Sequence, residues 1–306
     1  MNKIAVSSTL SASYRFVLEN YLRMLGIVWF PMALLFALMF WKFVPAMAAM
    51  PAPGADPAAA FSVLGQVLLF ELAAFLIVPL MACGITKLVL GRELRWPFFY
   101  VAIDGDYWRL LLSYFLVGLI FIGIVLFTSM LMAIVVGVVA VSTKTAGSDP
   151  NQLAQTMSGL RLLVAIPVYG VMLAALIRFG FLLAPIVITE RKLGIGRNWN
   201  LTRGNSWRIF LVLFGTFIPA IVLTVVQYGL LAVLGGPAMN IAQSFGSPEA
   251  QMAWSRHMMG LYQTYWYVLV GVGILFAPLF YGLALSAAAF IYRDLTAENN
   301  PHEVFS

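Results

Sequence analysis

Charge is what this chain has least of. Asp, Glu, Lys and Arg make up 10% of its 306 residues, against roughly a quarter in a soluble domain. Beside 62% hydrophobic residues, that deficit excludes a water-soluble fold. Cysteine is nearly absent: Cys83 stands alone, so no intramolecular disulfide and no thiolate metal cluster can form. Histidine is as sparse, and His257 and His302 lack metal-ligand spacing. No nucleophile–base pair and no paired carboxylates stand out, so neither an enzyme nor a cofactor is expected. The formal charge of +6 does not point to nucleic acid, because the basic residues flank apolar runs, where lipid headgroups and topology employ them.

What the chain has is continuous apolar sequence. The runs do not alternate, which excludes a membrane barrel and leaves spanning helices. Six are expected, at about 24–44, 60–86, 110–141, 160–188, 209–234 and 262–292, each long enough for a hydrocarbon core of ~30 Å. The third exceeds that thickness at about 1.5 Å per residue, so it tilts or protrudes. Ahead of the first, Leu10, Tyr14, Val17, Tyr21 and Leu25 recur at helical spacing, while Arg15, Glu19 and Arg23 fall elsewhere. That pattern predicts an amphipathic interfacial helix. Ala46, Met47 and Ala48 offer a small-x-small site, but the long amphipathic lead fits a cleaved signal peptide poorly, and an uncleaved span is expected.

Three stretches repeat one pattern. Glu19-Asn-Tyr-Leu-Arg23, Gly105-Asp-Tyr-Trp-Arg109 and Gly204-Asn-Ser-Trp-Arg208 each set a turn former, a bulky side chain and an arginine before an odd-numbered span. Gly or Asn would end a surface helix in a left-handed cap, and Asp or Asn would cap the next helix. Trp108 and Trp207 would lie at headgroup depth, with Arg109 and Arg208 reaching toward phosphates. The even spans open with Asp56-Pro57, Asp149-Pro150 and Ser247-Pro248, and they close with Ile85-Thr86, Ile188-Thr189 and Ile291-Tyr292. The expected fold is therefore all-α: six transmembrane helices plus three interfacial amphipathic helices, in one membrane domain over 1–306. It is built as three repeated helix–hairpin units, about 8–92, 93–193 and 194–295, followed by a polar tail at 296–306.

Paired spans give every copy one orientation. Of the 18 Lys and Arg residues, 13 lie on the amino-terminal side, 4 on the other, and Arg178 lies within a span. The positive-inside rule then puts both termini in the cytoplasm.

The segment Trp199-Asn-Leu-Thr-Arg-Gly-Asn-Ser-Trp-Arg-Ile-Phe210, with the spans on either side, resembles the membrane domain fused to some bacterial glycerophosphodiester phosphodiesterases, and related standalone multi-pass membrane proteins. The specific part of the likeness is about a dozen residues. No soluble α/β segment is left in the chain for a phosphodiesterase domain, so the catalytic residues have nowhere to map. What the resemblance implies is a multi-pass protein of the bacterial cytoplasmic membrane, close to lipids or lipid-derived substrates.

Two ionisable residues fall deep in spans, Glu71 and Arg178. Charges there are costly and often functional. Counted from the inner span ends, their depths differ by about one helical turn, ~6 Å. Three readings stay open: a structural ion pair between the second and fourth spans, a substrate or proton site, or two unrelated residues. Asn200, Leu201 and Thr202 match a glycosylation sequon, which would be silent on the cytoplasmic side. Gly271 and Gly273 lack the third glycine of a dinucleotide fingerprint and suit close helix packing. Six span prolines, at 31, 79, 167, 185, 219 and 278, predict kinks. Function is expected to be non-enzymatic, as a lipid-associated, scaffold or regulatory component with membrane lipids as partners. The alternative is a small transporter or lipid translocase with a polar site near Glu71 and Arg178.

Overall fold

The computed structural model describes residues 3–48, 57–94, 98–145, 167–235 and 248–297, and among these there is helix and turn but no strand. Six helical segments are long and apolar enough to cross a membrane: Tyr21–Met47, Phe61–Val89, Gly105–Val135, Pro167–Glu190, Ser206–Val233 and Trp266–Thr296. All six expected spans are thus present as helices, and they are those of a multi-pass membrane protein.

In chain order, α1 is Val6–Glu19 and α2 is Tyr21–Met47, whose last part winds into a π turn at Met39–Phe43. Helix α3 is Pro57–Val89, α4 is Gly105–Thr145, and α5 is Pro167–Glu190 with a second π turn at Leu176–Gly180. The short α6, Ile195–Thr202, is followed by α7, Ser206–Thr216, and α8, Ile218–Gly235. Helices α9, Pro248–Thr264, and α10, Trp266–Thr296, complete the chain.

The expected spans are not all unbroken. The fourth loosens at Phe181 and Leu182 just before Pro185, and the fifth divides at Phe217 just before Pro219. Proline has no N–H and is accommodated without a lost hydrogen bond only in the first turn of a helix, and each of these two breaks places its proline there, whereas Pro31, Pro79 and Pro278 stay inside continuous helices. Pro57 and Pro248 open their helices as expected, whereas Asp149 and Pro150 lie outside the described residues. Three local expectations are corrected. Residues 98–104 are not helical, so the second of the three surface helices is absent among the described residues. Trp29 Nε1 donates to the Phe98 carbonyl at 2.7 Å, and the buried Tyr100 ring inserts where a Cβ on Gly84 would lie 2.8 Å from it. Those contacts hold the segment open. Only Gly204 (φ +79°) takes the left-handed cap, since Gly105 is instead the first residue of α4, and Asn20 has φ −109°. Finally, Asp104 and not Asp106 caps α4, its Oδ1 accepting the Tyr107 N–H at 3.0 Å.

Helix α10 is the hub: it packs on α1, α2, α3, α5 and α7. Its lower part is small and fully buried through Ser286, Ala287, Ala288 and Ala289, so neighbours approach closely. A Cβ on Gly282 would stand 2.7 Å from Met24 Sδ and 3.2 Å from Val17 Cγ2, so α1, α2 and α10 meet there with no room to spare. The two larger parts of the core collect at one end of the bundle, and a smaller cluster of Leu231, Met258, Leu261 and Leu269 joins α8, α9 and α10 away from it. Met24, Ile85, Leu110, Ile188, Ile209 and Ile291, from six different helices, are all fully buried. Away from that end the helices turn apolar side chains outward, as at Leu126 and Met130 of α4 and Val225 and Val233 of α8. Lipid tails are a good solvent for such faces.

Helix α1 does not lie free on a surface. It crosses α7 and α10, with Ser13 and Val17 fully buried and the Phe16 ring edge-on to Phe290. Near its start, the Ile4 N–H donates to Asn205 Oδ1 at 3.2 Å, and Arg208 Nη1 donates to the Ile4 carbonyl at 2.9 Å. Ile4 packs in the same cluster as Tyr292 and Leu295. Both ends of the described chain therefore sit at the same end of the bundle, as an even number of crossings requires.

Candidate functional site

The tightly packed end also gathers the polar groups. The first group joins α3 to α4. Lys87 forms ion pairs with Asp104 and, at 3.3 Å, with Asp106 Oδ2, and Arg109 Nη1 lies 3.3 Å from Asp106 Oδ1. Lys87 is 8% exposed and Asp106 is mostly buried, whereas the Asp104 side chain is 44% exposed, so the ammonium is dry and one of its two carboxylates meets water. Burial disfavours a charged Asp104. The Lys87 hydrogen bond and the Tyr107 and Asp106 N–H groups outweigh that and hold its carboxyl below the usual carboxylate range. Burial pushes the neighbouring Tyr100 hydroxyl up to about 12, against the smaller opposing pull of Lys87, so it stays a neutral phenol.

The second group joins α5, α6 and α10: Arg197 Nε lies 3.1 Å from Glu190 Oε1, which also accepts the Tyr292 hydroxyl at 3.1 Å. The third centres on the π turn of α5, against which α6 packs. The π turn inserts one extra residue per turn and redirects the side chains it carries. Arg178 thus sits over the Trp199 ring, 5.0 Å from its centroid, and Phe179 stacks on the same ring at 5.1 Å. Asn198 is fully buried, and its Oδ1 accepts the Leu182 N–H at 3.3 Å where Pro185 has broken the helix. Arg178 Nη1 and Asn198 Nδ2 are both buried without a hydrogen-bond partner.

The residues singled out in the sequence fare differently. Arg178 is in this third group. Glu71 is not: its side chain is exposed on α3, and among the described residues it makes no ion pair with Arg178. Of the three readings left open, the ion pair between the second and fourth spans is therefore corrected. Similar depth by residue count ignores which face a side chain takes, and the π turn and the break at 181–182 re-aim α5. Trp108 and Trp207 are 58% and 69% exposed at the packed end, with Arg109 and Arg208 behind them on hydrogen bonds to Asp106 and Ile4. Leu22 takes the corresponding exposed position before the first span.

Sequence reasoning missed Lys87 and Asn198. Lys87 read as one more flanking cation, although Asp104 and Asp106 across a short connection were a usable sign of a partner. Asn198 carried no signal, because its role depends on α6 folding back onto a broken helix.

Two cavities lie elsewhere. One, of about 560 Å³, is lined by Ile124, Phe127, Leu131, Pro167 and Val171 between α4 and α5. The other, of about 470 Å³, is walled by Phe36, Phe40, Trp41 and Trp266, with Gln263. Neither contains Glu71 or Arg178. Among the described residues no three His, Cys, Asp or Glu side chains come together as a metal site. Comparison with protein-family models, with curated proteins and with solved structures finds no match.

Proposed function

We propose that this chain is a non-enzymatic, lipid-associated protein of the bacterial cytoplasmic membrane. It acts there as a scaffold or regulatory component and has both termini in the cytoplasm. One observation carries the reading: the end where six helices meet is filled by aliphatic side chains, and its polar groups are gathered at that end around aromatic residues exposed to the surroundings. A conduit for a polar solute needs a polar cavity inside the bundle, and the two cavities described among these residues are walled mainly by apolar side chains. The lack of a Glu71–Arg178 contact weakens the transport alternative further. Exposed Trp108 and Trp207 suit headgroup depth, where an amphipathic ring has both solvents.

The threefold unit belongs to the same proposal. Leu22-Arg23-Met24, Trp108-Arg109-Leu110 and Trp207-Arg208-Ile209 each run from an exposed apolar side chain, through arginine, to a fully buried residue. The even helices close on fully buried Ile85, Ile188 and Ile291. Agreement of burial at these positions supports three copies of one hairpin, with α1 and α6 as the surface elements of the first and third. The likeness of Trp199–Phe210 to a lipid-enzyme membrane domain supports a place near lipids.

Reconstitution tests the reading. Proteoliposomes carrying a fluorescent phospholipid are expected to translocate it no faster than protein-free vesicles, while the purified protein retains phospholipid through detergent exchange. Protein-dependent translocation would replace the reading with the translocase alternative. A reporter active only in the cytoplasm, fused after Ser306, is expected to be active; an inactive fusion beside an active periplasmic one would reverse the orientation.

A further inference from the structure

We propose that Arg178, on the π turn of α5, and Asn198, on α6, form a binding site for the phosphate oxyanion of a phospholipid headgroup, with Trp199 as its aromatic wall. The inference rests on the lipid-associated reading and gives it a specific place.

A guanidinium in an otherwise apolar spanning helix is expensive unless it meets water, a counter-ion or acceptors. Among the described residues Arg178 has no carboxylate within 4.0 Å. The carboxylate at the end of the same helix, that of Glu190, is engaged by Arg197 and the Tyr292 hydroxyl. The Trp199 face supplies a cation–π contact, which is weaker than an ion pair and offers no acceptor lone pair. Both orphaned polar atoms of the site, Arg178 Nη1 and Asn198 Nδ2, are donors. The missing group is therefore an acceptor, and an anionic one suits the guanidinium best. Arg178 as a residue is only partly buried, although its Nη1 is itself buried.

The setting argues for a lipid source. Trp199 is 44% exposed, and its ring contacts both Arg178 and Phe179, so the cation lies beside a side chain at the margin of the bundle. In a bilayer the abundant oxyanion at such a margin is a headgroup phosphate. The comparison with Arg208 is instructive: that arginine is spent on the Ile4 carbonyl, and Arg109 is spent on Asp106, so Arg178 is the one of the three left without a protein oxygen.

The test uses the full chain in phosphate-free detergent, titrated by native mass spectrometry. The probes are dioctanoyl phosphatidylglycerol, dioctanoylglycerol and inorganic phosphate. Phosphatidylglycerol is expected to bind the wild type about tenfold more tightly than Arg178→Met, the loss of one charge-assisted contact. Arg178→Lys is expected to fall between them, and dioctanoylglycerol to bind all three alike. Asn198→Asp keeps the acceptor for the Leu182 N–H while supplying an internal counter-charge, so it is expected to weaken phosphatidylglycerol as much as Arg178→Met does. It also serves if Arg178→Met does not fold. Inorganic phosphate binding as tightly as phosphatidylglycerol would assign the site to free phosphate. Equal phosphatidylglycerol binding by the wild type, Arg178→Met and Asn198→Asp would overturn the site and leave the lipid-associated reading standing. No phospholipid bound to any of them would overturn both.

Discussion

Lys87→Met is expected to lower the melting temperature of the detergent-solubilised protein by roughly 5–10 °C, the largest drop of any single replacement at the packed end. Removing one partner of a buried ion pair leaves the other uncompensated, at about 3–5 kcal/mol. Here the stranded partners are two carboxylates, with Asp106 at 13% and Asp104 at 44% side-chain exposure. The exposure of Asp104 lets water recover part of its solvation, so the lower end of that range applies, about 3 kcal/mol. Methionine keeps the length of the stem, which separates lost charge from lost packing. Adding Asp104→Asn and Asp106→Asn to Lys87→Met should restore much of the loss, because no buried charge then remains. A triple variant no more stable than Lys87→Met would remove electrostatics as the cause.

The same cluster fixes a pH dependence. The folded protein holds the Asp104 carboxyl below its ordinary value, so the unfolded chain takes up that proton first. The stability it contributes is complete above the unfolded carboxyl range, around pH 4, and is lost as pH falls through the lower folded value. Acid should therefore loosen the 98–104 segment, which Asp104 ties to Lys87 and to the start of α4.

Much of the fold could be read from the apolar runs, because a bilayer allows a continuous apolar stretch few alternatives to a helix. The positions of the breaks at Phe181 and Phe217 also follow from Pro185 and Pro219, whose missing N–H groups are local facts. The site was less accessible. Glu71 and Arg178 looked like partners because sequence gives depth along a helix, while facing depends on how helices pack. The π turn at Leu176–Gly180 changes facing again, and nothing in its composition announces it. Asn198 and Trp199 gained their roles only when α6 folded against that turn. The exposed positions of Trp108 and Trp207 were legible for the opposite reason: an interfacial ring answers to its solvent more than to its neighbours.

A tyrosine hydroxyl meets the carbonyl that Pro219 frees, and this leads to a double-mutant result. Pro219 cannot donate to the carbonyl four residues earlier, that of Gly215. The Tyr14 hydroxyl of α1 donates to that oxygen at 2.9 Å. The approach is possible because Gly215 has no side chain: a Cβ there would lie 2.8 Å from Leu10 Cδ1. Two other tyrosines meet a helix close to a proline, one residue past the freed carbonyl: Tyr107 donates to the Leu76 carbonyl at 3.1 Å, three residues before Pro79, and Tyr21 donates to the Leu275 carbonyl, three before Pro278. Each of the three tyrosines joins its own helix to a proline-bearing one. Tyr14→Phe should therefore cost about 1–2 kcal/mol, the penalty of a part-buried acceptor left without a donor. In a Pro219→Ala background the new backbone N–H can close on the Gly215 carbonyl, and the same Tyr14→Phe change should cost about 0.5 kcal/mol or less. Thermal unfolding of the four proteins in one detergent measures the difference. An equal cost in both backgrounds would mean that the Tyr14 hydroxyl anchors α1 by some other contact, and that the proline-freed carbonyl is satisfied without it.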